Sequence, residues 1–199
     1  MADASRGIEA SMVAITGIDY EKVEECCKKA ETEGIVSVCN INCPDQFVIG
    51  GDKEAVEKVA HLAKESGARR CVKLAVSGPF HTEYMRPAGA LLSKEFKKIS
   101  FAVPKCEVLF NYLGGPNIDN RKIDELLIRQ IQCTVHMKEC IEYLIDDDVK
   151  NFVEIGPGTA LSGFIKKTLK GLNKNVEHYT ILDINTVDDI KQVCDLIEH

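Results

Sequence analysis

The 199-residue chain lacks any excess of positive charge: 25 Lys and Arg against 31 Asp and Glu leave a formal net charge of −6. Non-specific nucleic-acid affinity comes mainly from clustered positive charge, so this balance argues against a phosphate-backbone partner. No apolar run approaches the roughly 20 residues a helix needs to cross a bilayer, and no membrane role is expected. Met1 to Ala10 carry no basic stretch followed by an apolar core, so no signal peptide is expected either. Internal repeats and low-complexity segments are absent, which excludes repeat arrays.

What remains is ordinary globular composition, 45% hydrophobic and 28% charged, with length for one large domain or two small ones. The nine cysteines are an odd number, and several fall in predicted helices and strands. They read as reduced thiols of a cytoplasmic protein.

After a polar start, the apolar period switches repeatedly. Ser11 to Thr16 reads as a strand. Asp19 is placed to cap a helix from Tyr20 to about Thr32, with Val23, Cys26, Cys27 and Ala30 on one face and Gly34 as its stop. Ile35 to Asn40 and Gln46 to Ile49 are strands around the turn Asn42-Cys43-Pro44-Asp45. A second helix runs from Asp52 to about Ser66, and Arg69 to Leu74 is a fourth strand. The order β-α-β-β-α-β is the ferredoxin-like, or split βαβ, arrangement, and it makes residues 10–75 a small subdomain.

Residues 76–199 read differently. Helices are expected over about Glu83 to Ile99, Ile123 to Gln132, His136 to Ile145, Thr159 to Leu169 and Val187 to Ile197. Only three short strands accompany them: Cys106 to Asn111, Phe152 to Ile155 and Tyr179 to Leu182. Tyr112 to Asn120 is a glycine-rich loop. Alternating strands and helices imply a parallel sheet covered on both faces, yet three strands are too few for five apolar helix faces. The overall class is α/β with an incomplete second sheet.

The most informative segment is Val76-Ser77-Gly78-Pro79-Phe80-His81-Thr82. A Ser-Gly-Pro bend constrains the backbone and leaves His81 just before a helix. With Thr82 as N-cap, the helix dipole disfavours the imidazolium, and a neutral His near pH 7 can act as a general base. If the helix begins instead at Pro87, that argument weakens. The competing reading is a helix-entry histidine that merely bonds backbone. Cys39 and Cys43 form a lone C-x₃-C pair, too little for a metal site, so no metal is expected.

Ala75 to His81 resembles the active-site histidine segment of malonyl-CoA:acyl carrier protein transacylases. Four further stretches agree in order: Val38 to Gln46 with Val48 to Gly51, Met85 to Ala88, Leu127 to Ile131 with Val135, and Glu154 to Gly158 with Leu161, Gly163 and Lys166. Milder departures are Cys43, Asp45, Thr82 and Met137, where serine, glycine, serine and tryptophan are usual. The resemblance implies a ferredoxin-like subdomain inserted into an α/β-hydrolase-like acyltransferase domain, of which residues 76–199 are the C-terminal portion. That would account for the missing strands.

The resemblance also implies the chemistry. Malonyl passes from malonyl-CoA to a serine and then to the phosphopantetheine thiol of acyl carrier protein in fatty acid biosynthesis. The substrate is malonyl-CoA and no cofactor is implied. His81 matches the base, and Gln130 the glutamine beside it, whose side chain or backbone carbonyl would hold the Nδ1 proton. Gln132 is the nearby rival for that role and is expected at the surface. Asn40, Asn42 and Gln46 are expected to stabilise the strand turn. The serine belongs in a Gly-x-Ser-x-Gly elbow, and no serine of this chain has glycine at both −2 and +2. The expectation is therefore that the nucleophile-bearing N-terminal part is absent, that the chain alone is inactive, and that an N-terminal acyltransferase fragment acts in trans if the start is correct.

Two other readings stand beside this one. The first is a non-catalytic ferredoxin-like binding or assembly module; RNA binding would need stacking aromatics on the central strands, which offer only Phe47. The second is an acyltransferase of a polyketide or decarboxylase system. Lys166, Lys167 and Lys170 are candidates for docking an acidic carrier protein, or simply a solvated helix face.

Overall fold

A computed structural model describes residue 7, residues 9–76 and residues 78–197. Most of the loop expected at the start, and Ser77, lie outside the described residues. The chain forms two compact units, one up to Cys140 and one from Ile141.

The first unit begins with β1 (Ala10–Thr16), α1 (Tyr20–Ala30), β2 (Val36–Cys43), β3 (Gln46–Asp52), α2 (Lys53–Glu65) and β4 (Arg70–Lys73). In α1, Val23, Cys26, Cys27 and Ala30 recur at helical spacing and are all buried. Asp19 stands at the N-cap position, but its side chain makes no capping bond. It pairs with exposed Lys22 at 3.7 Å instead, while its carbonyl accepts from the Val23 amide. A single 3₁₀ turn, Glu31–Glu33, follows, and Gly34 at φ 141° ends it.

Val13, Ile15, Val36, Val38, Ile41, Phe47 and Ile49 form the sheet's share of one core with α1 and α2. Each such fully buried Val, Ile or Phe contributes about 1.5–3 kcal/mol relative to exposure. A register shift between Val38 and Asn40 changes the alternation of β2 by one, so Ile41 rejoins Val36 and Val38 on the helix-covered face. The opposite face is smaller: Met12, Cys39 and Val48, with Ala14, Leu74 and Phe80 packed on them.

The first unit continues through a 3₁₀ turn (Glu83–Met85) into α3 (Arg86–Phe96), β5 (Leu109–Phe110), β6 (Gly115–Pro116), α4 (Ile123–Gln130) and β7 (Val135–His136). Strand β7 joins β2 in parallel and completes a five-stranded sheet of order β4-β1-β3-β2-β7. The sequence pattern assigns His136 to a helix; the structure places it in this strand, its amide donating to Asn111 O at 2.8 Å and Thr134 Oγ1 donating to Val38 O at 2.8 Å. The expected strand Cys106 to Asn111 shrinks to Leu109–Phe110, paired with Gly115–Pro116 inside the expected glycine loop. The expected single helix over 83–99 divides, because Pro87 lacks the N–H that interior helix positions require and sits in the first turn of α3. Leu91 of that helix faces out at 61% exposure.

Helix α5 (Met137–Asp146) spans the boundary. The second unit then has β8 (Asn151–Ile155), α6 (Ala160–Gly171), β9 (Thr180–Ile184) and α7 (Val187–Ile197), with β8 and β9 parallel. Phe152 of β8 is buried, whereas Val153 and Ile155 are exposed. The Gly156-Pro157-Gly158 turn offers no anion cradle: Glu154 already accepts from the Leu161 and Ser162 amides at the start of α6, at 3.1 and 2.8 Å. Those bonds, the Ser162 amide first, hold the Glu154 carboxyl below its ordinary value.

Candidate active site

The segment after β4 crosses the smaller face of the sheet. Leu74 N donates to Met12 O at 2.9 Å, and Phe80 packs against Met12, Cys39 and Val48. Room for that packing comes from Gly50, where a Cβ would fall 2.8 Å from Cys39 Sγ and 3.1 Å from Met12 Cγ. The chain then tightens: Phe80 N donates to Gly78 O at 3.0 Å, and buried Thr82 donates its hydroxyl to Pro79 O at 2.5 Å. Between these bonds stands His81, with φ 62°. A non-glycine residue there costs of order 1–3 kcal/mol and persists only where its surroundings hold it.

The imidazole is half-buried, and its Nδ1 lies 2.8 Å from the backbone oxygen of Gln130. Gln130 is the last residue of α4, where helix carbonyls have no intrahelical partner, so its oxygen is available to a donor. A carbonyl only accepts, so the shared proton sits on Nδ1 and Nε2 carries the lone pair. Burial pushes the His81 pKa below 6.5, against the opposing pull of the Gln130 hydrogen bond. Desolvation therefore favours the neutral imidazole. The helix-dipole argument fails here: Thr82 caps only the 3₁₀ turn, and α3 begins later at Arg86.

Helix α4 reaches His81 because α3 lets it approach. Gly89 has no side chain where a Cβ would lie 3.0 Å from Gln132 Nε2 and 3.5 Å from Ile128 Cγ2. Gln132, expected at the surface, is half-buried there and donates to Ile128 O at 3.3 Å. Asn40 lies within the sheet opposite Val135 of β7. Gln46 begins β3, and Asp45 beside it accepts from Arg69 at 3.2 Å. The Cys39 and Cys43 thiols donate to Ser37 O and Asp45 Oδ1. The Gly78-Pro79 bend was the one sequence signal of a constrained turn; nothing in the sequence marked the hydrogen bond from Tyr84 Oη to Asp52 Oδ1, 2.5 Å long.

The half-buried His81 in its strained turn sits within an α/β scaffold of a known class. The acyl transferase domain family profile matches residues 7–192, and the chain belongs to that family. Among its relatives are malonyl CoA-acyl carrier protein transacylases of Bacillus subtilis, 36% identical over 94% of this chain and 58% of that one, and of Staphylococcus aureus, 35% identical over 96% and 60%. The solved transacylase of Clostridium perfringens superposes with a TM-score of 0.89 at 36% identity, over 100% of this chain and 60% of that chain. Another solved relative, a malonyl-transacylase in complex with a type II polyketide acyl-carrier protein, gives 0.82 at 30% identity, over 97% and 60%. The chain thus spans 58–60% of the length of these relatives.

Proposed function

We propose that these residues form the base-bearing part of an [acyl-carrier-protein] S-malonyltransferase of cytoplasmic fatty acid biosynthesis. Residues 10–75 are its ferredoxin-like small subdomain, and residues 76–199 belong to its α/β-hydrolase-like domain. The observation that carries the reading is the bond between His81 Nδ1 and the Gln130 carbonyl, which leaves Nε2 as a proton acceptor.

The chemistry follows in two balanced half-reactions. His81 Nε2 takes the proton of a serine hydroxyl as the oxygen attacks the malonyl thioester carbonyl. The imidazolium returns that proton to the departing coenzyme A sulfur, leaving a malonyl-serine ester. Nε2 then takes the proton of the phosphopantetheine thiol of acyl carrier protein, whose sulfur attacks the ester; the serine oxygen recovers the proton. The serine comes from a Gly-x-Ser-x-Gly elbow outside these 199 residues, on the same polypeptide or in trans.

The malonyl group and the carrier-protein partner come from what the relatives are named for. A polyketide carrier is the second reading, favoured by the relative solved with such a partner. The half-buried His81 at φ 62°, bonded through Nδ1 to the Gln130 carbonyl, supports the catalytic reading over a non-catalytic module. The test joins these residues to an elbow-bearing segment and follows malonyl transfer to each kind of carrier protein. His81→Ala should lower transfer by about 10²–10⁴-fold, the usual worth of a general base. Undiminished transfer would overturn the reading.

A further inference from the structure

Asp52 behaves unlike an ordinary helix cap. It holds the N-cap position of α2, where an aspartate usually bonds its own helix's amides, yet it makes no such bond. One carboxylate oxygen, Oδ2, accepts from the Ile35 amide at 2.7 Å, while the Asp52 amide donates to Ile35 O at 2.7 Å. The neighbouring backbone is shaped for that approach: a Cβ on Gly34 would fall 2.4 Å from Asp52 Oδ2. The other oxygen, Oδ1, takes the Tyr84 hydroxyl at 2.5 Å. Tyr84 lies in the 3₁₀ turn that starts immediately after Thr82, three residues beyond His81.

We propose that the Tyr84–Asp52 hydrogen bond is a positioning contact for His81, fastening the far side of the strained turn to the end of β3. The near side is held by Phe80 on the sheet and by Thr82 on Pro79. With both sides anchored, the left-handed conformation at His81 is over-determined, and Nδ1 is delivered to the Gln130 carbonyl. Tyr84 and Asp52 touch no reacting atom; they act through His81. Burial and the Asp52 bond push the Tyr84 hydroxyl up to about 12, so it remains a donor at any physiological pH. The charged groups acting on Tyr84 are Asp52 and Glu83, the latter exposed and paired with Arg86 at 3.0 Å.

The importance of this contact for transfer rests on the reading of His81 as the base; its effect on the imidazole does not. The test is Tyr84→Phe, which keeps the ring and removes only the hydroxyl, with Asp52→Ala, which removes the acceptor, as a second variant. Imidazole ¹⁵N and ¹H NMR of the 199-residue chain reports the His81 pKa and tautomer. Both variants should move the pKa up toward 6.5 as the turn loosens and the ring hydrates, and should add the Nε2–H tautomer. In the elbow-complemented enzyme, kcat should fall about tenfold with KM unchanged, less than the about 100-fold of a full 1 Å misplacement. A variant that lowers thermal stability but leaves the His81 titration and tautomer untouched would reduce Tyr84 to a structural residue and overturn the proposal. Should the imidazole respond while His81→Ala transfers normally, the positioning stands and the proposed function fails.

Discussion

His81 Nδ1 and the main-chain oxygen of Gln130, 49 positions apart in sequence, meet at 2.8 Å. The contact joins a strained turn to a helix end. It sets the tautomer of the imidazole through backbone and leaves the Gln130 amide uninvolved in that bond.

Gln130→Ala should therefore keep the His81 tautomer, and stability should change by no more than about 0.5 kcal/mol. Ile131→Pro pushes Gln130 away from helical geometry and tilts its carbonyl, so it should lose the Nδ1 bond. NMR of the imidazole nitrogens checks both. Tautomer loss in Gln130→Ala would move the role to the side chain.

Stability should depend on pH through His81. Burial makes the folded chain bind this proton less readily than the unfolded chain, so stability rises with pH across the window. The contribution is complete above about pH 6.5 and is lost as pH falls through the lower folded value. Urea unfolding of the wild type and His81→Asn should show the wild type losing ground at about pH 5 relative to about pH 7.5. The same depressed value predicts that the acid limb of kcat/KM lies below 6.5. A difference independent of pH would mean that His81 ionises as freely when folded as when unfolded.

Gly50→Ala should destabilise the first unit by about 1–3 kcal/mol, because its Cβ enters the face on which Phe80 rests. Gly163→Ala is the contrast. Its Cβ meets nothing within 4 Å in α6, so helix propensity should add up to about 1 kcal/mol. Urea midpoints moving the same way in both would contradict this packing.

Lys166 and Lys170 project from the exposed face of α6. If that face meets an acidic carrier protein, Lys166→Glu with Lys170→Glu should slow association about tenfold at low salt, with the gap closing as salt rises. Stopped-flow association rates read it directly. Equal rates at low salt would leave those lysines a solvated face.

Much of this was legible in the pattern of apolar residues. Val23, Cys26, Cys27 and Ala30 on α1, and the alternation of Val13 and Ile15 on β1, reflect one-sided burial, which leaves a period in the sequence. Val135–His136 was not legible, because a two-residue strand has no period and forms only where β2 offers an edge. Leu109–Phe110 was overextended for the same reason: the β-prone residues before it find no partner strand. At the site, His81 and Gln130 could be named from motif order. The choice of carbonyl over amide, the left-handed φ and the Tyr84–Asp52 bond could not, because each depends on contacts made across the fold.

The most direct measurement is incubation of the purified 199-residue chain with radiolabelled malonyl-CoA, alone and with an elbow-bearing segment. On the proposed function, with the serine outside these residues, the chain alone should stay unlabelled, and label should appear on the elbow serine only in the mixture, provided His81 is intact. Stable, hydroxylamine-sensitive label on the 199-residue chain by itself would contradict the central claim.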